Sequence, residues 1–370
     1  MHIDPFATEN YFSLYEFTTP HLLCASDCET MTVAELLEWG GVDVAALMDV
    51  RLGYTESAGH PALRAAVAAL YESVDPAEVV MLGAPEEGIY LTMRSLLEPG
   101  DHVVVLTPAY DSLLNLAEHI TGNVSRWPIR PQPGGWSLDL AELERLVTVG
   151  TRLVVANFPH NPTGYLPDAA EFEALIDIVR RSGAWLLCDE MYRGLERDPA
   201  HRLPSAADHA GRVIVLSGLS KTYGLPGLRT GWLIVRNPAT RAALINWKHY
   251  TTICAAAPSE ALAIAALRAH ETLAARSRRI IAGNLATAGD FFKRHAGLFD
   301  WRPPRAGSVA LVGIDVPSAT TYCHALAREA GVLLLPGTCL GAGDHSVRFG
   351  FGRSGFTAAL SAYDDYLGTG

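Results

Sequence analysis

Short apolar runs recur through the first two thirds of the chain, each closed by Gly, Pro, Asp, Asn or Ser. They are Val79–Leu82, His102–Leu106, Leu153–Ala156, Trp185–Cys188, Val213–Leu216 and Trp232–Val235. Unbroken apolarity over so few residues predicts strands buried on both faces, of the kind found in parallel sheets. Between the runs, apolar residues return at helical spacing, as in Leu63, Val67, Leu70, Tyr71 and again in Phe172, Leu175, Ile176, Val179. The alternation predicts an α/β domain whose mostly parallel sheet is covered on both sides. Sites in such sheets gather at the carboxyl ends of the strands.

An Ala-rich helical stretch from Pro258 to about His295 follows as a connector. Beyond it, the runs Ser308–Val312, Gly331–Pro336 and His345–Phe351 predict a smaller α+β lobe. The expected division is an N-terminal segment, 1–50, packing on the small domain and active site. A large domain, 51–285, and a small C-terminal domain, 286–370, complete it. A length of 370 residues accommodates two such lobes. With 49% hydrophobic and 19% charged residues, the chain reads as a well-packed soluble globule. A net charge of −11 with no basic run argues against nucleic acid as a partner. The start, Met1 to Phe6, has neither a basic nor an apolar signal segment, and no run is long enough for a bilayer, so a cytoplasmic location is expected. The six cysteines, at 24, 28, 188, 254, 323 and 339, are expected as reduced thiols. Cys24 and Cys28 lack a second Cys/His pair to complete a zinc site, so no metal is expected.

Only three lysines occur, at 221, 248 and 293. Lys221 follows the run Val213–Leu216 within Ser217-Gly218-Leu219-Ser220-Lys221, and Arg229 comes eight residues later among hydroxyls and glycines. A lysine used for imine chemistry needs a carbonyl partner. Pyridoxal phosphate is one that brings its own phosphate, which Ser220 and Arg229 could hold. The plainer reading is a solvated loop with one lysine and one arginine. Asn161, held extended before Pro162, could turn its amide into a strand-end cleft and donate to a phenolic oxygen, although Asn-Pro-Thr-Gly is also a common turn. Asp189 closes the run Trp185–Cys188, with Tyr192 three residues on. A carboxylate there could keep a pyridinium nitrogen protonated while Tyr192 reaches the ring oxygen; alternatively, Asp189 caps a helix.

Together Asn161-Pro162-Thr163-Gly164, Asp189-Glu190-Met191-Tyr192 and Ser220-Lys221 to Arg229-Thr230-Gly231 resemble the class I/II aminotransferases, fold-type-I pyridoxal-phosphate enzymes. The resemblance covers most of the chain from about Leu52. It implies a large domain with a mostly parallel central sheet plus a smaller α+β domain. It makes Lys221 the Schiff-base lysine and proton shuttle, Asp189 the pyridinium partner, and Asn161 and Tyr192 the ligands of the ring hydroxyl. Tyr110, after a strand, resembles the aromatic that stacks on the ring. Ser220 and Arg229 would bind phosphate. Arg348 resembles the arginine that holds the substrate carboxylate in two-pronged fashion, with Arg353 as its rival. Tyr54 resembles the tyrosine that reaches the neighbouring subunit's phosphate, which implies a homodimer with shared sites.

Two positions depart from the family pattern. The phosphate turn reads Gly83-Ala84-Pro85-Glu86-Glu87-Gly88, where amides of Glu86 and Glu87 remain as donors but Pro85 has none. Three residues before the lysine, where Ser or Thr is usual, stands Gly218, and Ser217, one place too early, is expected to compensate as a cofactor-binding group. The N-terminal segment is acidic, with Glu9, Glu16, Asp27 and Glu29, and Ser26 lies beside Asp27. Glu9, Ser26 and Asp27 in a lid would suit a guanidinium side chain; a solvated acidic face is the alternative. On the first reading the chain is similar to the arginine-directed branch, which includes capreomycidine-synthase-like enzymes. The expected reaction is then a cyclising dehydration of a hydroxylated arginine. The alternative is ordinary amino transfer to a 2-oxo acid.

Overall fold

A computed structural model of the chain describes residues 3–368. The outermost positions of the expected segments 1–50 and 286–370 lie outside the described residues. Seven strands form the main sheet: β1 Val79–Leu82, β2 His102–Thr107, β3 Val124–Pro128, β4 Thr151–Asn157, β5 Trp185–Asp189, β6 Val213–Gly218 and β7 Gly231–Val235. Their order is β1-β7-β6-β5-β4-β2-β3. From β6 through β3 every pairing is parallel. Only β7 reverses, pairing antiparallel with both β6 and β1. The expectation of a parallel Trp232–Val235 therefore fails. No α-helix separates β6 from β7, and without a crossover helix the chain returns antiparallel to its neighbour. The edge strand β3 escaped the sequence reading because Ser125 and Arg126 interrupt its apolar run, as suits a strand with one open side.

Alternate residues of the strands feed two cores, which is why the runs read as continuously apolar. Met81, Val104, Val154, Leu186, Val215 and Ile234 face one core. Val80, Val103, Val155, Leu187, Ile214 and Leu233 face the other, beneath the helices Pro85–Leu96 and Asp111–Thr121. Fully burying each such side chain contributes about 1.5–3 kcal/mol, so the sheet is a rigid platform for whatever stands at its strand ends.

The Ala-rich connector is two helices, Ala257–Arg268 and His270–Arg294, interrupted at Ala269 without a proline or glycine. The second carries Leu273 in the large-lobe core and Ile281, Ala288 and Phe291 in a third core. That third core belongs to the smaller lobe, whose strands β8 Phe299–Asp300, β9 Val309–Ile314, β10 Leu335–Pro336 and β11 Ser346–Gly350 are all antiparallel in the order β8-β9-β11-β10. The predicted run Gly331–Pro336 is divided: Val332–Leu333 pairs in parallel with His21–Leu22, and only Leu335–Pro336 joins β11.

The N-terminal segment bridges the lobes. Tyr11 and Tyr15 of the helix Ala7–Tyr15 sit in the small-lobe core, whereas Leu36 and Leu37 enter the large-lobe core. Between them a strip runs beside β11, with Gly350 N–H donating to Leu23 O at 2.7 Å and Glu29 N–H to Gly352 O at 2.8 Å. The approach needs glycine. A Cβ on Gly350 would lie 1.9 Å from Ala25 O, and one on Gly352 would lie 2.4 Å from Asp27 O. Among the described residues no helix is long and apolar enough to cross a membrane.

Candidate active site

A cavity of about 450 Å³ opens over the carboxyl ends of β4, β5 and β6 and is closed on one side by the N-terminal segment. Its size falls within the usual range for a cofactor or small-molecule site. Lys221, Asp189, Asn161, Tyr192, Ser220 and Arg229 all line it, as do Tyr110, Arg348, Glu9, Ser26 and Glu86.

The strand ends fix these groups. Asn157, the last residue of β4, accepts from Asn161 N–H at 2.7 Å and donates its amide to Asp189 O at 2.9 Å. It thereby clamps two site residues, a role the sequence reading missed; its place at a strand end one turn before Asn161 was the available signal. Asp189 Oδ1 accepts Met191 N–H at 2.9 Å, and burial pushes the carboxyl up from 3.8 to about 7. No described cation forms an ion pair with it. Lys221 Nζ donates to Ser26 Oγ at 2.8 Å. Burial depresses the ammonium, with Asp27 opposing and Arg348 assisting that shift.

Arg348 on β11 is 1% exposed, donating through Nη1 to Asn161 Oδ1 at 3.2 Å and through Nη2 to Cys24 O at 2.9 Å. Its Nε has no partner and its guanidinium lies over the Phe12 ring. This buried cation faces the cavity without a carboxylate. Arg353 is different: Nε and Nη2 grip the two oxygens of Asp27 at 3.2 and 2.6 Å. That pair ties the strip to the small lobe. Asp27 is thus committed to Arg353 and is not among the cavity-lining groups, contrary to its expected role toward a substrate cation.

Tyr110 donates its hydroxyl to Glu9 Oε1 at 2.9 Å, and its ring meets Phe6 edge-on at 5.2 Å. Ser220 is buried with its hydroxyl unpartnered. Arg229 is exposed at the cavity rim with φ +48, a strained conformation for a residue with a Cβ. Ser217 does not join them. Strand alternation puts Leu216 into the cavity and Ser217 on the opposite face, 3.5 Å from Glu190 O. Tyr54 is 90% exposed and away from its own chain's cavity.

At the phosphate turn, Ala84 caps the helix Pro85–Leu96 without a side-chain acceptor. Glu86 lines the cavity, and burial raises its carboxyl, with Glu9 and Asp111 adding to the shift. Glu87 does not serve as expected. Its N–H already donates to Ala84 O at 3.1 Å, and its carboxylate accepts from Gly83 N–H at 2.8 Å and Thr252 Oγ1 at 2.7 Å. The two departures from the family pattern touch each other: a Cβ on Gly218 would lie 2.9 Å from Pro85 Cγ. The proline ring occupies the space that a side chain before the lysine would fill.

The donor set fits pyridoxal phosphate. A lysine amine, a buried carboxylate free of cations, an amide and a phenol stand over the strand ends, and an unpartnered serine hydroxyl with an arginine stands by a helix N-terminus. Asp189 supplies a check that needs no turnover. Its raised pKa means the cofactor-free fold keeps a proton that the unfolded chain releases, so stability falls as pH rises from about 4 to about 7. Glu190, also raised to about 7 by burial, pulls the same way. Cofactor-free Asp189→Asn should therefore lose less melting temperature than wild type between about pH 5 and 8. Equal slopes would mean that Asp189 is not the buried acid described.

A model of the class I and II aminotransferases matches residues 21–361. Capreomycidine synthase of Streptomyces vinaceus is 35% identical over 85% of this chain and 80% of its own length. A PLP-dependent aminotransferase from Streptococcus suis 89-1591 superposes with a TM-score of 0.93 at 29% identity, covering 100% of this chain and 99% of its own. The PLP-dependent cyclase OrfR, solved in complex with Au, gives 0.92 at 29% identity, over 100% and 98%.

Proposed function

The chain belongs to the class I and II aminotransferase family, uses pyridoxal phosphate, and acts on the amino group of an amino acid; from that premise we propose that it is a cyclising dehydratase of a hydroxylated arginine. The observation that carries this reading is a pair of unmatched charges in one cavity. Arg348 has no carboxylate, and Glu9 has no cationic partner among the described residues. Such a site suits a substrate with a carboxylate at one end and a guanidinium at the other. The likeness to capreomycidine synthase and to a cyclase supports it.

Bound pyridoxal phosphate supplies a carbonyl for the substrate amine and a ring that takes up electrons from the α-carbon. Lys221 Nζ is the linking amine and, once displaced, takes the α-proton. Asp189 would hold the ring nitrogen protonated, Asn161 and Tyr192 would bind the ring oxygen, and Tyr110 would cover the ring. Ser220, Arg229 and the Glu86 amide would hold the phosphate. Arg348 fixes the substrate carboxylate and Glu9 the guanidinium. Loss of an α-proton expels a group from the adjacent carbon, so the hydroxyl belongs there. Its oxygen leaves as water, a guanidine nitrogen bonds to the vacated carbon, and the proton that nitrogen sheds returns to the α-carbon. The chain forms a homodimer in which Tyr54, exposed with Leu52 and Tyr250, reaches the phosphate of the second copy.

Incubation with 3-hydroxyarginine should release water and a cyclic guanidine, with no 2-oxo acid. Amino transfer from arginine to 2-oxoglutarate is the second reading, favoured by the overlap with an aminotransferase along the whole chain. Formation of glutamate as the main product would decide for it. Glu9→Gln should raise KM for the guanidino substrate about 10-fold, the worth of one charge-assisted hydrogen bond, and leave KM for a neutral amino acid unchanged. An equal rise for both would remove Glu9 from guanidinium recognition.

A further inference from the structure

Lys221 Nζ has a single hydrogen-bond partner among the described residues, the hydroxyl of Ser26. That hydroxyl comes from neither β6 nor its turn but from the strip laid along β11. The strip is held by contacts that do not use the Ser26 side chain, whose hydroxyl also meets the Tyr192 phenol. Ser308 Oγ donates to Ser26 O, Arg353 grips Asp27, and the backbone pairs Gly350–Leu23 and Glu29–Gly352 lie on either side. Gly350 and Gly352 leave the space this requires. The strip therefore delivers one hydroxyl to the catalytic nitrogen and fixes it there.

The two reactions open to this family differ in where the lysine's captured proton goes next. Amino transfer returns it to carbon. Dehydration must pass it to an oxygen on the substrate side chain. A hydroxyl can accept from a lysine while donating onward, so it conducts a proton that a methyl group in its place would not. On the cyclase reading above, we infer that Ser26 is a catalytic residue that directs the proton from Lys221 Nζ to the substrate's leaving hydroxyl. The α C–H bond breaks and its proton goes to Nζ. As the C–O bond breaks, Ser26 Oγ gives its proton to the departing oxygen and receives one from Nζ. Water leaves, serine is restored and the lysine is neutral again; no oxidant or reductant is needed. Asp27, Glu9 and Asp189 favour the charged amine and Arg348 opposes it, so the hydroxyl acts on a nitrogen whose charge these groups and burial already set.

The test has one arm without turnover. With three lysines in the chain, acetylation of cofactor-free protein can be followed at each by mass spectrometry as a function of pH. Lys293, 80% exposed at its side chain, and the fully buried Lys248 serve as internal references. Ser26→Ala should shift the Lys221 midpoint to lower pH and speed its labelling several-fold, leaving both references alone. Ser26→Thr should label as wild type. An unmoved Lys221 midpoint overturns the contact. The second arm is the product ratio with 3-hydroxyarginine: Ser26→Ala should move it about 10-fold toward 2-oxo acid and aminated cofactor, and Ser26→Thr should not. A wild type that cyclises, with Ser26→Ala giving the same ratio or Ser26→Thr behaving like Ala, overturns the inference alone. A wild type that only transaminates overturns the cyclase reading and this inference with it. If Ser26→Ala melts early, Ser26→Cys takes its place as the weak-donor variant.

Discussion

Lys221→Ala should lower turnover by at least ~10³-fold and leave bound pyridoxal phosphate without a covalent link to the chain. The loss is large because one nitrogen does two tasks, holding the cofactor and carrying the α-proton. No other lysine can take over. Lys248 is fully buried with Nζ committed to Ser57 O at 2.7 Å, and Lys293 stands on the surface beside Asp290. Neither lines the cavity. Borohydride reduction followed by peptide mapping checks this: wild type should carry the cofactor on the peptide containing Lys221, and the variant on none. A cofactor label on Lys248 or Lys293 would displace Lys221 from its role.

Arg348→Ala should cost kcat/KM roughly 10²- to 10³-fold, corresponding to about 3–4 kcal/mol for a buried charge pair broken on one side. The reason lies in what the wild-type arginine has left over. Two of its nitrogens serve Asn161 and Cys24, and they orient the group without neutralising it. A substrate carboxylate would be the only anion on it. Arg348→Lys should recover little, because an ammonium cannot hold Asn161, Cys24 O and a carboxylate with one planar fork. Comparing arginine with its decarboxylated amine as ligands makes the test specific. Wild type should prefer the amino acid, and Arg348→Ala should bind the two alike. A preference that survives the substitution would assign the carboxylate elsewhere, and Arg353 is excluded from that part as long as Asp27 holds it.

Much of this was legible in the sequence because the site stands on strands whose apolar runs are hard to mistake. Asp189, Asn161 and the turn bearing Lys221 each follow such a run, so locating the strand located the side chain. Where the sequence misled, distance along the chain was a poor guide to facing. Ser217 and Ser220 look equivalent as hydroxyls near Lys221, yet one lies within a strand, where alternation turns it away, and the other lies past the strand end. Asp27 was a credible ligand for a cation, and a cation does hold it; that cation is Arg353, which lies 326 residues further along. Glu87 was expected to offer its amide, but the first turn of its own helix uses that N–H. Pairings of this long range leave no local trace. Neither does the break at Ala269, which carries no residue that would interrupt a helix.

The contact between Pro85 and Gly218 constrains how this site can change over generations. Gly218→Ser alone would drive a side chain into the proline ring and toward Thr230 O, 3.0 Å from the new Cβ. Gly231 is hemmed by the same ring, at 2.9 Å. A side chain at 218 is therefore accommodated only once the proline is replaced, which couples the two positions.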